Sequence, residues 1–91
     1  MPKYVVERNI PGAGQMSSEQ LRGAAQTTCA VLTEMGPRIQ WLESFVTDDK
    51  LYCIYIAPDE EAIEQDAAKG GFPCDHVSRI RRMIDPTTAE A

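Results

Sequence analysis

Residues Ile39–Glu60 read IQWLESFVTDDKLYCIYIAPDE: two runs of aromatic and branched residues flank Asp48-Asp49, and this stretch decides the fold. Tryptophan, phenylalanine, tyrosine and isoleucine suit a pleated, half-buried surface, and an Asp-Asp pair between two such runs marks a β-hairpin. With a two-residue turn, Val46 falls opposite Leu51, Ser44 opposite Cys53 and Leu42 opposite Tyr55. Directly opposed residues share a face. One face then carries Leu42, Ser44, Val46, Cys53, Tyr55 and Ala57; the other carries Trp41, Glu43, Phe45, Tyr52, Ile54 and Ile56. Small residues such as Ser44, Cys53 and Ala57 suit close packing under helices, so the second set is expected to be uncovered. A three-residue loop would invert the parity of the later strand.

Working outward, KYVVERNI (Lys3–Ile10) is a short valine-rich strand that stops at PGAG. Ser17 with Gln20 three residues on has the spacing of a capping box, and Met16 and Leu21 are placed to form a hydrophobic staple. Leu21, Ala24, Ala25, Thr28, Val31, Leu32 and Met35 then recur at helical steps as one buried stripe, and Gly36-Pro37 ends that helix. After the hairpin, Pro58–Glu61 is an acidic helix start that suits the macrodipole. That second helix has a thin apolar face (Ala62, Ile63, Ala67) and stops at Gly70-Gly71. HVSRIRRMI (His76–Ile84) reads as a fourth strand, closed by Asp85-Pro86, and a polar tail begins at about residue 86. The order βαββαβ is the ferredoxin-like arrangement: an α+β fold with a four-stranded antiparallel sheet and both helices on one face. Residues 1–91 form a single domain.

Composition narrows the function classes. A formal net charge of −5 disfavours nucleic acid, which needs a basic surface. The RIRR run at Arg79–Arg82 offers too few charges for a groove and reads as a solvated strand face. No apolar run approaches a membrane span, and the N-terminal MPKYVVERN has no signal-peptide core. The expectation is a cytoplasmic protein with reduced thiols, its three scattered cysteines without a CxxC pair. Cys29 and Cys53 read as buried small hydrophobes. No serine–histidine–aspartate ordering supports hydrolysis, and no lysine-serine follows a glycine run as in a phosphate loop. No catalytic residue is assigned.

An uncovered face bearing Trp41, Phe45, Tyr52, Ile54 and Ile56 calls for a partner, and the economical one is a second copy across a twofold axis. A homodimer is therefore expected. Glu43 lies within that patch, and Glu7 of the first strand can join it. Such a carboxylate would titrate high unless paired with Arg79, Arg81 or a metal. His76, the only histidine, follows Cys74 by two residues. In a strand both would point the same way and offer two ligands, of a type that suits zinc, nickel or iron. A surface histidine and a salt bridge at the dimer rim are the simpler alternatives.

YVVERNIPGAG, the TDDKLYCIYIAPDEE stretch, GGFP and RMIDPTTAE together resemble a bacterial ferredoxin-like family long classed as a domain of unknown function. Some of its members are described as nickel-binding proteins. The resemblance runs over nearly the whole chain and implies a small dimeric α+β protein with a nickel connection. In that family GGFP is commonly followed by alanine and a basic residue, where this chain has Cys74 and His76. Family ligands therefore do not carry over to those two positions. The fold also resembles dimeric barrels of the antibiotic-biosynthesis monooxygenase type. By that analogy Trp41, Glu43, Tyr52 and Tyr55 would line a small-molecule pocket at the uncovered face. Two functions follow: a non-catalytic homodimer that binds nickel through Glu7, Glu43 and His76, or a cofactor-independent enzyme or ligand-binding protein with Glu43 as base or anchor.

Overall fold

The computed structural model describes residues 1–90. Strands β1 (Lys3–Asn9), β2 (Gln40–Val46), β3 (Lys50–Ile56) and β4 (His76–Ile80) alternate with helices α1 (Ser18–Met35) and α2 (Glu60–Gly70) in the order β1-α1-β2-β3-α2-β4. The four strands pair antiparallel in the order β2-β3-β1-β4, the ferredoxin-like sheet. Ala91, the last residue of the expected tail, lies outside the described residues; Pro86–Glu90 form an exposed 3-10 turn.

The elements begin and end where their local chemistry dictates. Ser17 caps α1: its hydroxyl accepts from the Gln20 amide, and the Gln20 side chain accepts from the Ser17 amide. Asp59 caps α2 by accepting from the Ala62 amide, so this helix starts just after Pro58 and not at it. α1 turns Thr28 and Val31 inward. Cys29, about 100° further round the helix, is exposed, against the expectation of a buried thiol. β4 ends at Ile80, four residues short of the expected Ile84. Ile80 lies opposite Lys3, where β1 itself begins, so residues 81–84 have no ladder to join.

The hairpin carries the two-residue Asp48-Asp49 turn, with the Thr47 amide donating to the Lys50 carbonyl at 2.9 Å. Val46 pairs with Leu51 and Ser44 with Cys53, as the two-residue turn requires. The register then shifts at Leu42, which is bulged out, and Trp41 pairs with Tyr55 in its place. A bulge inserts one residue and moves all that precedes it to the other face. Trp41 therefore joins Tyr55, Cys53, Ser44 and Leu51 on the helix side, a correction to its expected place on the uncovered face.

The core lies between the sheet and the helices: Tyr4, Val6, Ile39, Cys53, Tyr55, Ala57 and Ile63 form one buried cluster. The opposite face is left without cover. Phe45, Tyr52, Glu7 and His76 run across it in one row, and Glu43, Ile54, Val5 and Ser78 in the next. Phe45 is 54% exposed there.

The hairpin tip is clasped by the 3-10 turn Ala13–Gln15. The Ile10 and Gly14 amides donate to the Asp49 and Asp48 carbonyls at 2.9 Å, and the Gly12 amide donates to the Asp49 carboxylate. A methyl group on Gly14 would stand 3.0 Å from the Asp48 Cα and 3.2 Å from the Thr47 carbonyl oxygen, both backbone atoms. Gly14→Ala is expected to cost about 1–3 kcal/mol and lower the melting temperature. Gly23→Ala, mid-helix with nothing within 4 Å of the added carbon, should instead add roughly 0.5–1 kcal/mol. Thermal melts of the two variants check both signs.

Candidate functional site

Two groups of polar side chains stand out, one on each face of the sheet. On the uncovered face, Glu7 of β1 lies directly opposite His76 of β4. With Asn9, Lys50 and Asp75 they line a shallow recess of about 200 Å³. Lys50 Nζ donates to Glu7 Oε1 at 2.7 Å, and this bond holds the ammonium pKa above its ordinary value. Asp75 Oδ2 accepts from the Asn9 amide at 2.6 Å, and the Asp75 amide donates to the Glu7 carbonyl, which extends the β1–β4 ladder by one residue.

Glu43 shares that face but not that recess. It lies on β2, two strands and one row from Glu7, a separation of roughly 12 Å from sheet spacings. The structure therefore brings Glu7 and His76 together and keeps Glu43 apart. Cys74 does not join them either. It packs against the helix-side core, whereas His76 lies on the Glu7 side, so Cys-x-His does not present two ligands to one point. Burial pushes the Cys74 thiol up. Arg79 lies opposite Tyr4, in the register of the covered face, so it is not a counter-ion for Glu43. Among the described residues no three histidine, cysteine, aspartate or glutamate side chains converge as a metal site.

The second group lies under the helices. β1 alternates Tyr4, Val6 and Arg8 into the core, and Arg8 is 1% exposed. Its Nη1 donates to the Pro73 carbonyl at 2.6 Å and its Nη2 donates to the Tyr55 hydroxyl at 3.4 Å. The guanidinium lies 5.6 Å from the Phe72 ring centroid and 6.0 Å from that of Tyr55, within cation–π range. Phe72 reaches this position because residue 70 is glycine: a Cβ there would stand 2.7 Å from the ring. From α2, Asp66 approaches Arg8 at 4.0 Å, and it too is buried.

Burial opposes the Arg8 charge, but its contacts with Cys53 and Tyr55 outweigh that and leave its pKa raised. Burial also pushes the Asp66 carboxyl up, offset only in part by Arg8 and by a hydrogen bond from Tyr55. Burial and the nearby Asp66 hold the Tyr55 hydroxyl protonated far above its usual range.

Arg8 and Tyr55 also line a cavity of about 180 Å³ between α1 and the sheet, together with Ala24, Ala25, Trp41 and Val46. Of the four residues expected at a pocket on the uncovered face, Trp41 and Tyr55 border this helix-side cavity instead. Glu43 and Tyr52 lie on the other face, and the cavity itself is on the helix side of the sheet. Sequence reasoning missed Arg8 and Asp66. The signal was present: Arg8 continues the period of two after Tyr4 and Val6, and Asp66 falls between Ile63 and Ala67 on the buried stripe of α2.

The balance of this pair is testable by pH. Asp66, raised in the folded state, contributes stability that is full below its unfolded value of 3.8 and is lost as pH rises through the folded value. Arg8→Met removes the group that restrains this shift, so the pH-dependent loss should steepen. The variant should be destabilised by about 3–5 kcal/mol at neutral pH, less near pH ~4, and largely restored by adding Asp66→Leu. Denaturant midpoints measured across that pH range check the three statements.

Residues 4–80 match the model of a family described as nickel responsive protein SCO4226-like. The crystal structure of SCO4226 from Streptomyces coelicolor A3(2) superposes with a TM-score of 0.76 at 19% identity, covering 90% of this chain and 99% of that one. No curated protein sequence matches the chain.

Proposed function

The chain belongs to the SCO4226-like family of nickel responsive proteins, and on that premise we propose that it is a small homodimeric nickel-binding protein with its donors on the uncovered face of the sheet. The observation that carries this reading is the cross-strand pairing of Glu7 with His76, a carboxylate and an imidazole opposed on adjacent strands. Both are donors that nickel accepts. Within one protomer they do not complete a site, since no third donor converges on them among the described residues.

A second copy answers two deficits at once. Val5, Phe45, Tyr52, Ile54 and Ile56 form an apolar patch with no cover in the monomer. A twofold partner packed against it would remove that patch from water and bring a second Glu7–His76 pair to the same interface. Glu43 would then act at the metal only from the other copy, or else as a rim residue of the interface. Lys50 competes with metal for Glu7, so binding must displace that ammonium from the carboxylate.

Nickel titration by calorimetry on untagged protein is expected to show stoichiometric binding. His76→Ala and Glu7→Gln should each weaken it by roughly tenfold or more, because even outer-shell partners of metal ligands are worth that much. Lys50→Ala should strengthen it. Light scattering should give twice the 10.1 kDa chain mass, and Ile54→Glu should give monomers that keep their helical circular dichroism. No heat at micromolar nickel, or binding that survives both ligand substitutions, contradicts the proposal.

A further inference from the structure

We infer that the cavity between α1 and the sheet is a binding site for a small, uncharged, ring-sized apolar molecule that carries one hydrogen-bond-accepting oxygen. Its size sets the first limit. About 180 Å³ exceeds the roughly 150 Å³ at which an apolar protein cavity holds benzene, so one substituted ring fills it. The walls set the second. Ala24, Ala25 and Trp41 line it, and the Trp41 indole N–H is already taken by the Ser44 hydroxyl at 2.9 Å, so these residues offer hydrocarbon and an aromatic face.

Arg8 and Tyr55 set the third limit. Arg8 is buried and lines the cavity, and a guanidinium has more N–H donors than the Pro73 carbonyl and the Tyr55 hydroxyl accept. An oxygen on the ligand would find a donor there. Asp66 sets the fourth. Its carboxyl already sits 4.0 Å from Arg8, so a second carboxylate would meet repulsion at low dielectric, whereas a hydroxyl or carbonyl would not. Val46, which lines this space, is itself 41% exposed. Because the residues that line the cavity lie on the helix side, a dimer through the uncovered face does not cover them, and the inference stands apart from the nickel proposal.

Three probes with one ring test it: toluene, p-cresol and p-toluate, titrated into the isotope-labelled protein and followed by nuclear magnetic resonance. Trp41 is the only tryptophan, so its indole N–H gives an isolated reporter in the cavity wall. Expected is a saturable shift of that signal, with p-cresol bound about tenfold more tightly than toluene and p-toluate weakest. Ala25→Phe, which fills the space with a ring of its own, should abolish the shift while the melting temperature holds or rises. No saturable shift to about 10 mM probe overturns the inference, as does binding unchanged in Ala25→Phe. Toluene equal to p-cresol, or p-toluate tightest, overturns the assigned chemistry in the wild-type protein, whatever the variant does.

Discussion

A buried arginine organises this molecule. Arg8 projects from the central strand β1 into the covered face, where an isolated charge would be prohibitively costly. Everything that makes it tolerable comes from outside β1: the Pro73 carbonyl and the Phe72 ring from the α2–β4 connection, the Tyr55 hydroxyl from β3, and Asp66 from α2. α2 buries only Ile63, Asp66 and Ala67, too little apolar surface to fix its position by packing alone. Its buried Asp66 carboxylate stands 4.0 Å from Arg8 and links the helix to β1.

The second constraint is the single bulged residue in β2. Leu42 shifts the register so that Trp41 turns under the helices while Glu43 and Phe45 stay on the open side. The consequence is a division of labour between the two faces. The open face keeps an apolar patch with the Glu7–His76 pair at its edge. The covered face keeps a cavity lined by Trp41, Tyr55 and the Arg8 donor.

Most of the fold was legible because its local signals agree with one another. The Ser17–Gln20 capping box, Gly36-Pro37, the Asp48-Asp49 turn and the acidic start of α2 each stand where the sequence puts them. Two errors came from tertiary effects with no local signature. A bulge cannot be read from alternation, because Trp41-Leu42 reads as continuous strand in either register. The end of β4 is set by the start of β1, not by anything in RRMI. The site is harder to read for a third reason: its charged residues are buried and not on the exposed face. Arg8 and Asp66 lie at core positions of their own periodic patterns, where a charged residue is the informative exception.

The proposed metal donors and the proposed ligand cavity lie on opposite faces of one sheet. Nickel added to the isotope-labelled protein tests this most directly, because the paramagnetic ion broadens the resonances nearest to it. The account predicts that the amides of Glu7 and His76 lose intensity first, with the indole N–H of Trp41 among the last affected. Early loss at Trp41, or broadening with no focus at the β1–β4 pair, would contradict it.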